Sequence, residues 1–323
     1  MLKLGILGAG NIATKLAGVY NFLRNEIEPY AVASRSLEKA TAIAEKFNFA
    51  KAYSSYEELL SDPAVDVVYI ATPHSHHFEQ MLMCIEHGKH ILCEKPFTVN
   101  VSQAEIVFAK AKERGLFVCE AVWTRFMPCV KRIREILESG ELGEPRFIEA
   151  SFCVPICGKE RMARPELAGG ALLDLGIYPL NYAMLYFGEN PIKITSTAVL
   201  TELGVDEQET FTLEYEGGRI AMLGSSMTAC GAAPARISCT KGRIVCEKLL
   251  VCEEIAIEDG SGVIRKEQFP FDYNGYEYEI RAVIKAIEAG KCETEETPWS
   301  TTLSELRIMD TLRAQWGVKY PFE

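Results

Sequence analysis

A mixed α/β chain built as two domains is predicted by three observations. Over residues 2–120 short apolar runs alternate with amphipathic stretches, the grammar of repeated βαβ units around a parallel sheet. Beyond residue 123 that grammar gives way to β-rich alternation with a few helices, which reads as an α+β domain on a large, mostly antiparallel sheet. The length, 323 residues, exceeds the range in which one core keeps growing. The change of pattern sets the boundary, giving domains over 1–122 and 123–323.

Residues 2–7 form the first strand and 30–34 the second, after a helix. Leu37, Ala40, Ala44 and Phe47 then share one helical face. Residues 65–71 are almost wholly apolar, as a strand buried on both faces requires. A helix over 76–87 stops at Gly88, which suits a left-handed cap. Strand 90–93, helix 102–114 with Gly115 behind it, and strand 117–120 complete the first domain. The second is predicted to carry helices over 130–138 and 171–187, then strands over 193–201, 209–216, 219–225, 235–240, 243–247 and 249–257. Helices return over 276–289 and 300–316. Gly217-Gly218 between two of the strands signals a hairpin. Pro179 lacks the N–H that a helix over 171–187 would use, so a kink is expected there.

The 45 acidic and 34 basic residues give a net charge of -11, which argues against nucleic acid or an anionic membrane as partner. Eleven cysteines are an odd number, show no Cys-x-x-Cys spacing and mostly sit in apolar runs; they read as free buried thiols of a reducing cytoplasm. No stretch reaches the roughly 20 apolar residues of a membrane span, and the chain enters its first strand at once, without the pattern of a signal peptide. A soluble cytoplasmic protein is expected.

Gly5-Ile6-Leu7-Gly8-Ala9-Gly10-Asn11-Ile12-Ala13 places G-x-G-x-x-A between a strand and a helical stretch. In a dinucleotide site Gly8 makes the tight turn, Gly10 lets the backbone approach the pyrophosphate, and Ala13 allows close helix packing. The helix N-terminus attracts the phosphates. Gly8, Ala9, Gly10, Asn11 and Ile12 are therefore candidate cofactor contacts. At the end of the second strand an acidic residue would select NAD by binding the ribose 2′-hydroxyl, but the chain reads Ala33-Ser34-Arg35-Ser36. Arg35 offers a charge-assisted fork to a 2′-phosphate and Ser34 a hydroxyl, which favours NADP, with NAD still possible. The alternatives for Arg35 are stacking on adenine or a solvated surface position. Thr72, Pro73, His74 and His77 follow strand 65–71 at the carboxyl edge where such sheets bind ligands, and are candidate nicotinamide-lining residues. No further metal donors accompany His74, His76 and His77, so no metal is assigned.

Glu94-Lys95-Pro96 puts a cation where the strand His90-Ile91-Leu92-Cys93 runs out, and Asp174-Leu175-Gly176-Ile177-Tyr178-Pro179 lies downstream. Hydride addition to a carbonyl leaves an alkoxide that must be protonated, and the reverse oxidation needs a base. Tyrosine, with an ordinary pKa of about 10, can serve both needs when a cation stabilises its phenolate. Lys95 is the candidate cation, with Glu94 beside it at the cofactor, and Tyr178 the candidate acid/base. Asp174 lies four residues before Tyr178 on one helical face and can fix the tyrosine, the lysine or a substrate hydroxyl. Trp123, Arg125 and Arg146 are candidate substrate residues, with Arg125 also suited to brace Asp174. Packing at the domain junction accounts equally well for Trp123 and Arg125.

Taken together, Gly8-x-Gly10-x-x-Ala13, Thr72-Pro73, Glu94-Lys95-Pro96 and Gly169-Gly170 to Asp174 resemble the glucose-fructose oxidoreductase and inositol dehydrogenase (Gfo/Idh/MocA) superfamily over nearly the whole chain. Most members carry histidine where this chain has Tyr178. With Glu120-Ala121-x-Trp123-x-Arg125-Phe126, the tyrosine is similar to the branch of dimeric dihydrodiol dehydrogenases and NADP-dependent xylose dehydrogenases. The resemblance implies a Rossmann domain and a C-terminal domain whose open sheet supports a homodimer. It also implies NADP, Lys95 and Tyr178 as the catalytic pair, and a polyol, aldose or cyclic trans-diol substrate. Two alternatives belong to the same superfamily: an internal-redox glycosidase or epimerase, and a non-catalytic dinucleotide-sensing regulator.

Overall fold

The computed structural model describes residues 1–323. It divides into two compact units, Met1–Trp123 with Asp272–Thr302, and Thr124–Phe271 with Leu303–Glu323. The first crossing falls beside the expected boundary, but the chain also returns to the first unit over 272–302, which no change of composition announces.

In the first unit strands β1 (Lys3–Leu7), β2 (Glu28–Ala33), β3 (Lys51–Tyr53), β4 (Val67–Ile70), β5 (His90–Glu94) and β6 (Val118–Ala121) form one sheet. Their order is β3-β2-β1-β4-β5-β6, with every pairing parallel. Helices α1 (Asn11–Phe22), α2 (Leu37–Phe47), α3 (Tyr56–Leu60), α4 (His77–Glu86) and α5 (Val101–Arg114) make the connections. The order reverses between β1 and β4, and a parallel sheet binds ligands beyond the carboxyl ends of its strands at such a reversal. Ile6, Leu7, Val68, Tyr69, Ile70, Ile91 and Cys93 are wholly buried, as strands covered on both faces must be. Gly88 (φ 69°) and Gly115 (φ 63°) take the left-handed caps their positions predict. The returning segment supplies the helix Glu277–Glu288 and the start of the last helix. Within it Tyr276 stacks on Trp123 and Trp299 on Phe108, while Trp299 Nε1 donates to the Val118 carbonyl at 2.8 Å.

In the second unit β7 (Pro145–Cys153), β8 (Lys193–Leu200), β9 (Asp206–Tyr215), β10 (Arg219–Ser226), β11 (Ala235–Cys239), β12 (Arg243–Cys246), β13 (Glu254–Asp259) and β14 (Gly262–Gln268) form an eight-stranded sheet. Its order is β14-β13-β12-β11-β7-β10-β9-β8, antiparallel except for β7 against β10. The hairpin at Gly217-Gly218 forms as expected, with both residues at positive φ. Helices α6 (Pro128–Ser139), α7 (Glu160–Ala163) and α8 (Ile177–Phe187) belong here, with α9 (Glu277–Glu288) and α10 (Trp299–Trp316) following the sheet. β7 lies inside the sheet and went unpredicted, although Phe147, Glu149 and Ser151 alternate with buried Ile148 and Ala150. β14 also went unpredicted, because its charged run Arg265-Lys266-Glu267 is the dress of an edge strand. The expected strand 249–257 begins only at Glu254. The helix runs through Pro179 as part of α8, and the irregularity lies upstream, as a single π-turn over Leu172–Gly176. Pro179 brings no N–H to that turn and its ring crowds the carbonyl four residues earlier, so the helix widens upstream of the proline.

No helix is long and apolar enough to cross a membrane. Ile148 has no exposed surface on the interior strand β7. Ile148→Ala is expected to lower unfolding free energy by about 2–5 kcal/mol, measured as a shifted urea midpoint at unchanged slope.

Candidate active site

The dinucleotide loop is shaped for a bulky anion. Gly8 is held at φ 111°, and a Cβ there would meet the Ala71 carbonyl at 2.7 Å, so no other residue fits between β1 and β4. Gly10 has open space where its Cβ would be, and it caps α1 without any side-chain hydrogen bond. The first turn of α1 carries no acid, so its free N–H groups and positive dipole end face outward unopposed. These residues fit a dinucleotide pyrophosphate.

At the end of β2, Ser34 Oγ accepts from the Ser36 amide at 3.2 Å and Ser36 Oγ from the Lys39 amide at 3.4 Å, which starts α2. Both hydroxyls keep their protons for donation. Arg35 lies exposed between them, close enough to Tyr56 that its charge pulls against the burial that raises that hydroxyl.

After β4, Thr72 Oγ1 donates to Gln80 Oε1 at 2.6 Å, and His74 is nine-tenths buried. His77 has no exposed surface, so it does not reach a cofactor as expected. Its ring instead ties two loops together, Nε2 at 2.9 Å from the Thr72 carbonyl and Nδ1 at 2.8 Å from the Pro96 carbonyl. Burial, reinforced by His74, outweighs both carbonyls and moves its pKa down to about 4. The neutral ring donates to one carbonyl and turns a lone pair to the other.

Glu94 and Lys95 end β5 in a buried turn, followed by a cis Lys95-Pro96 peptide. The Glu94 carboxylate accepts from the Tyr69 hydroxyl at Oε1 and from the Lys95 amide at Oε2, 3.2 Å away. Burial, then the charge of Glu94, raises Tyr69 well above its ordinary value, so it remains a donor. Glu120 on β6 accepts from the Phe97 amide and from the Thr302 hydroxyl, each at 2.8 Å. Tyr69 and Glu120 were not anticipated as part of the site. An acid in the apolar run Phe117-Val118-Cys119-Glu120 was the available signal.

In the second unit Tyr178 stands on the first turn of α8, buried, with its ring edge-to-face on Phe152 at 5.8 Å. Asp174 sits in the π-turn and takes a two-pronged ion pair from Arg161, both contacts at 2.9 Å. The ion pair therefore comes from a residue the sequence did not single out. Arg125 is buried and donates to Asn181 Oδ1 at 3.0 Å, one turn past Tyr178. Asn181 in turn donates to the Ile177 carbonyl and to Glu305. Arg146 does not belong to this group. It is exposed, bonded to Glu144 and the Gly217 carbonyl, and six residues along β7 from Phe152, about 20 Å away.

Comparison with known proteins agrees with this geometry. A family model described as "Oxidoreductase family, NAD-binding Rossmann fold" matches residues 2–121, and the "GFO/IDH/MocA C-terminal domain" matches residues 130–245. Trans-1,2-dihydrobenzene-1,2-diol dehydrogenase of Mus musculus is 35% identical, with 99% of this chain and 98% of that protein covered. The Homo sapiens protein of that name is 34% identical at the same coverage. A 3-ketoreductase from Actinomadura kijaniata, solved with NADP and TDP-benzene, superposes with a TM-score of 0.87 at 28% identity, covering 97% of both chains. Fold and cradle thus define a dinucleotide-binding oxidoreductase acting on CH–OH groups. The chain belongs to the GFO/IDH/MocA oxidoreductase family.

His77→Leu removes the one N–H that the neutral ring donates to the Thr72 or the Pro96 carbonyl, and is expected to cost about 1–3 kcal/mol and to weaken dinucleotide binding in a fluorescence titration. In the parent protein the folded His77 pKa lies below the ordinary value, so its contribution is complete above about pH 6.5 and is lost as pH falls towards about 4. The slope of stability over that window is expected to flatten in the variant.

Proposed function

We propose that the protein is an NADP-dependent dehydrogenase of a sugar or cyclic trans-diol, with Tyr178 as acid/base and Lys95 as the cation that assists it. The observation that carries this reading is Tyr178 itself, a buried phenol at the head of α8, one turn beyond an ion-paired aspartate. A bound nicotinamide supplies the hydride or takes it up. In the oxidising direction Tyr178 Oη accepts the substrate hydroxyl proton, and in the reducing direction it returns a proton to the new alkoxide. The Lys95 ammonium favours the phenolate and donates a hydrogen bond to the substrate oxygen. Asp174, held by Arg161, orients the group that faces it, and Trp123 and Arg125 are assigned to substrate or to its surroundings.

The relatives named as trans-1,2-dihydrobenzene-1,2-diol dehydrogenases support the diol class, since similarity runs the length of both chains. The Actinomadura ketoreductase was solved with NADP, and also with a lysine replaced by alanine and with a tyrosine replaced by phenylalanine. NADP is further supported by Arg35, exposed between two hydroxyls where an acid would repel a 2′-phosphate. Homodimerisation through the open sheet is supported by exposed apolar residues on its strands, among them Val199, Ile220 and Met222. A cytoplasmic location accords with eleven free cysteines.

A panel of aldoses, inositols and alicyclic diols with NAD and NADP, followed at the nicotinamide absorbance, tests the class; no turnover on any member would overturn it. Tyr178→Phe is expected to lower kcat by about 10²–10⁴-fold while leaving the dinucleotide Kd unchanged, and unchanged kcat removes Tyr178 from the chemistry. Arg35→Ala is expected to weaken NADP by roughly tenfold and NAD hardly at all, measured by parallel titrations.

A further inference from the structure

Two acids the chemistry does not use lie directly behind the turn that carries Asp174. Asp206 and Glu209, both on β9, are almost wholly inaccessible. Asp206 Oδ2 accepts the Leu172 amide at 2.5 Å, and the Ala171 amide also faces the carboxylate. Glu209 Oε1 accepts from the Ser225 hydroxyl. Asp206 Oδ1 and Glu209 Oε2 are buried with no hydrogen-bond partner. Two glycines make the approach possible. A Cβ at Gly170 would collide with the Asp206 carboxylate, and one at Gly176 would meet Glu209 Oε1 at 2.8 Å. Gly170, two residues before the π-turn, and Gly176, at its end, thus admit a buried acid each.

Resting on the reading of Tyr178 as acid/base, we propose that Asp206 is a positioning residue for the Asp174–Tyr178 segment, gripping the π-turn by its first amides while Glu209 holds a proton beside it. A π-turn has one residue more per turn than the α-helix around it, so losing it re-registers every side chain upstream relative to Tyr178. The N-terminal amides of the turn lack intrahelical acceptors, and a carboxylate is the strongest acceptor available to them. Two carboxylates this close do not both ionise in a buried site. Burial raises both above their ordinary values, Asp206 to about 6 and Glu209 further, the charge of Asp206 adding to the latter. Other titratable groups facing the pair are Arg313 on α10, Tyr320 near the end of the chain, and Cys153 on β7, with Glu323 paired to Arg313 behind them. Arg313 favours the charged form of Asp206. At neutral pH Asp206 is therefore the anion and Glu209 the acid; below about pH 6 the grip is protonated away.

Three variants test this. Asp206→Ala removes the acceptor and is expected to lower kcat by about a hundredfold, with substrate KM and dinucleotide Kd within about twofold. Asp206→Asn keeps one acceptor oxygen without charge, and is expected to lose about tenfold in kcat and to lack an acid limb near pH 6 in its kcat profile. Glu209→Gln imitates the protonated partner, is expected to keep most of kcat at neutral pH, and should leave the acid limb near pH 6 in place, because Asp206 already ionises beside a neutral neighbour. Folded Asp206 variants with parental kcat, or an acid limb displaced in Glu209→Gln, would overturn the proposal. If Asp206→Ala does not fold, the Asp206→Asn and Glu209→Gln profiles decide it. Amide hydrogen exchange over 171–178 reads the grip without turnover. Faster exchange there in Asp206→Asn supports the grip even where Tyr178→Phe has shown the tyrosine to be uninvolved, so the two readings fail separately.

Discussion

A buried turn cannot leave its peptide groups unpaired, and the turn that carries Lys95 is buried from Cys93 to Val99. Beyond Glu94 the strand ladder ends, so side chains do the pairing. Tyr69 on β4 holds Glu94, and Glu94 holds the Lys95 amide. His77 on α4 meets the Pro96 carbonyl, and Glu120 on β6 the Phe97 amide. Glu120 is itself completed by Thr302, from a segment nearly 200 residues further on. The position of one ammonium group thus follows from hydrogen bonds that span most of the first unit. Removing any one of them strands a buried polar atom, which is why so small a turn has so large a retinue.

The same principle operates in the second unit on a helical segment. A π-turn leaves more amides unpaired than a regular helix start, and Asp206 answers two of them. Both candidate catalytic elements are therefore irregular backbone secured by buried carboxylates, Glu94 and Glu120 in one unit and Asp206 in the other. The acids that do this are largely or wholly buried.

Much of the fold was legible because its signals are local. The parallel sheet declared itself by continuous apolar runs such as Val67-Val68-Tyr69-Ile70, and the dinucleotide loop by glycines whose spacing only a close approach explains. Strand β7 escaped because its alternation is broken by Pro145, Arg146 and a terminal cysteine, and because its neighbours β10 and β11 lie far away in sequence. In the site, the residues proposed to act by chemistry were visible: Lys95, Tyr178, Asp174, Arg35. Residues that act by holding were not. Tyr69 looks like any strand aromatic, Arg161 like any surface arginine, and His77 like a ligand, because partners that are backbone carbonyls leave no trace in sequence.

The parallel pairing of β7 with β10 sets the order in which the second unit can assemble. Phe147 faces Ile220, so everything from α7 to β9, including the π-turn and α8, lies on the loop between two adjacent strands. That sheet cannot close at its centre until the chain has been made through Ser226, and the helix bearing Tyr178 must find its seat before or while the loop closes. The first unit waits longer still, since its last strand is completed by residues 292–302. On a ribosome, a chain truncated anywhere before those residues holds a Lys95 turn whose supporting carboxylate has not yet met its hydroxyl.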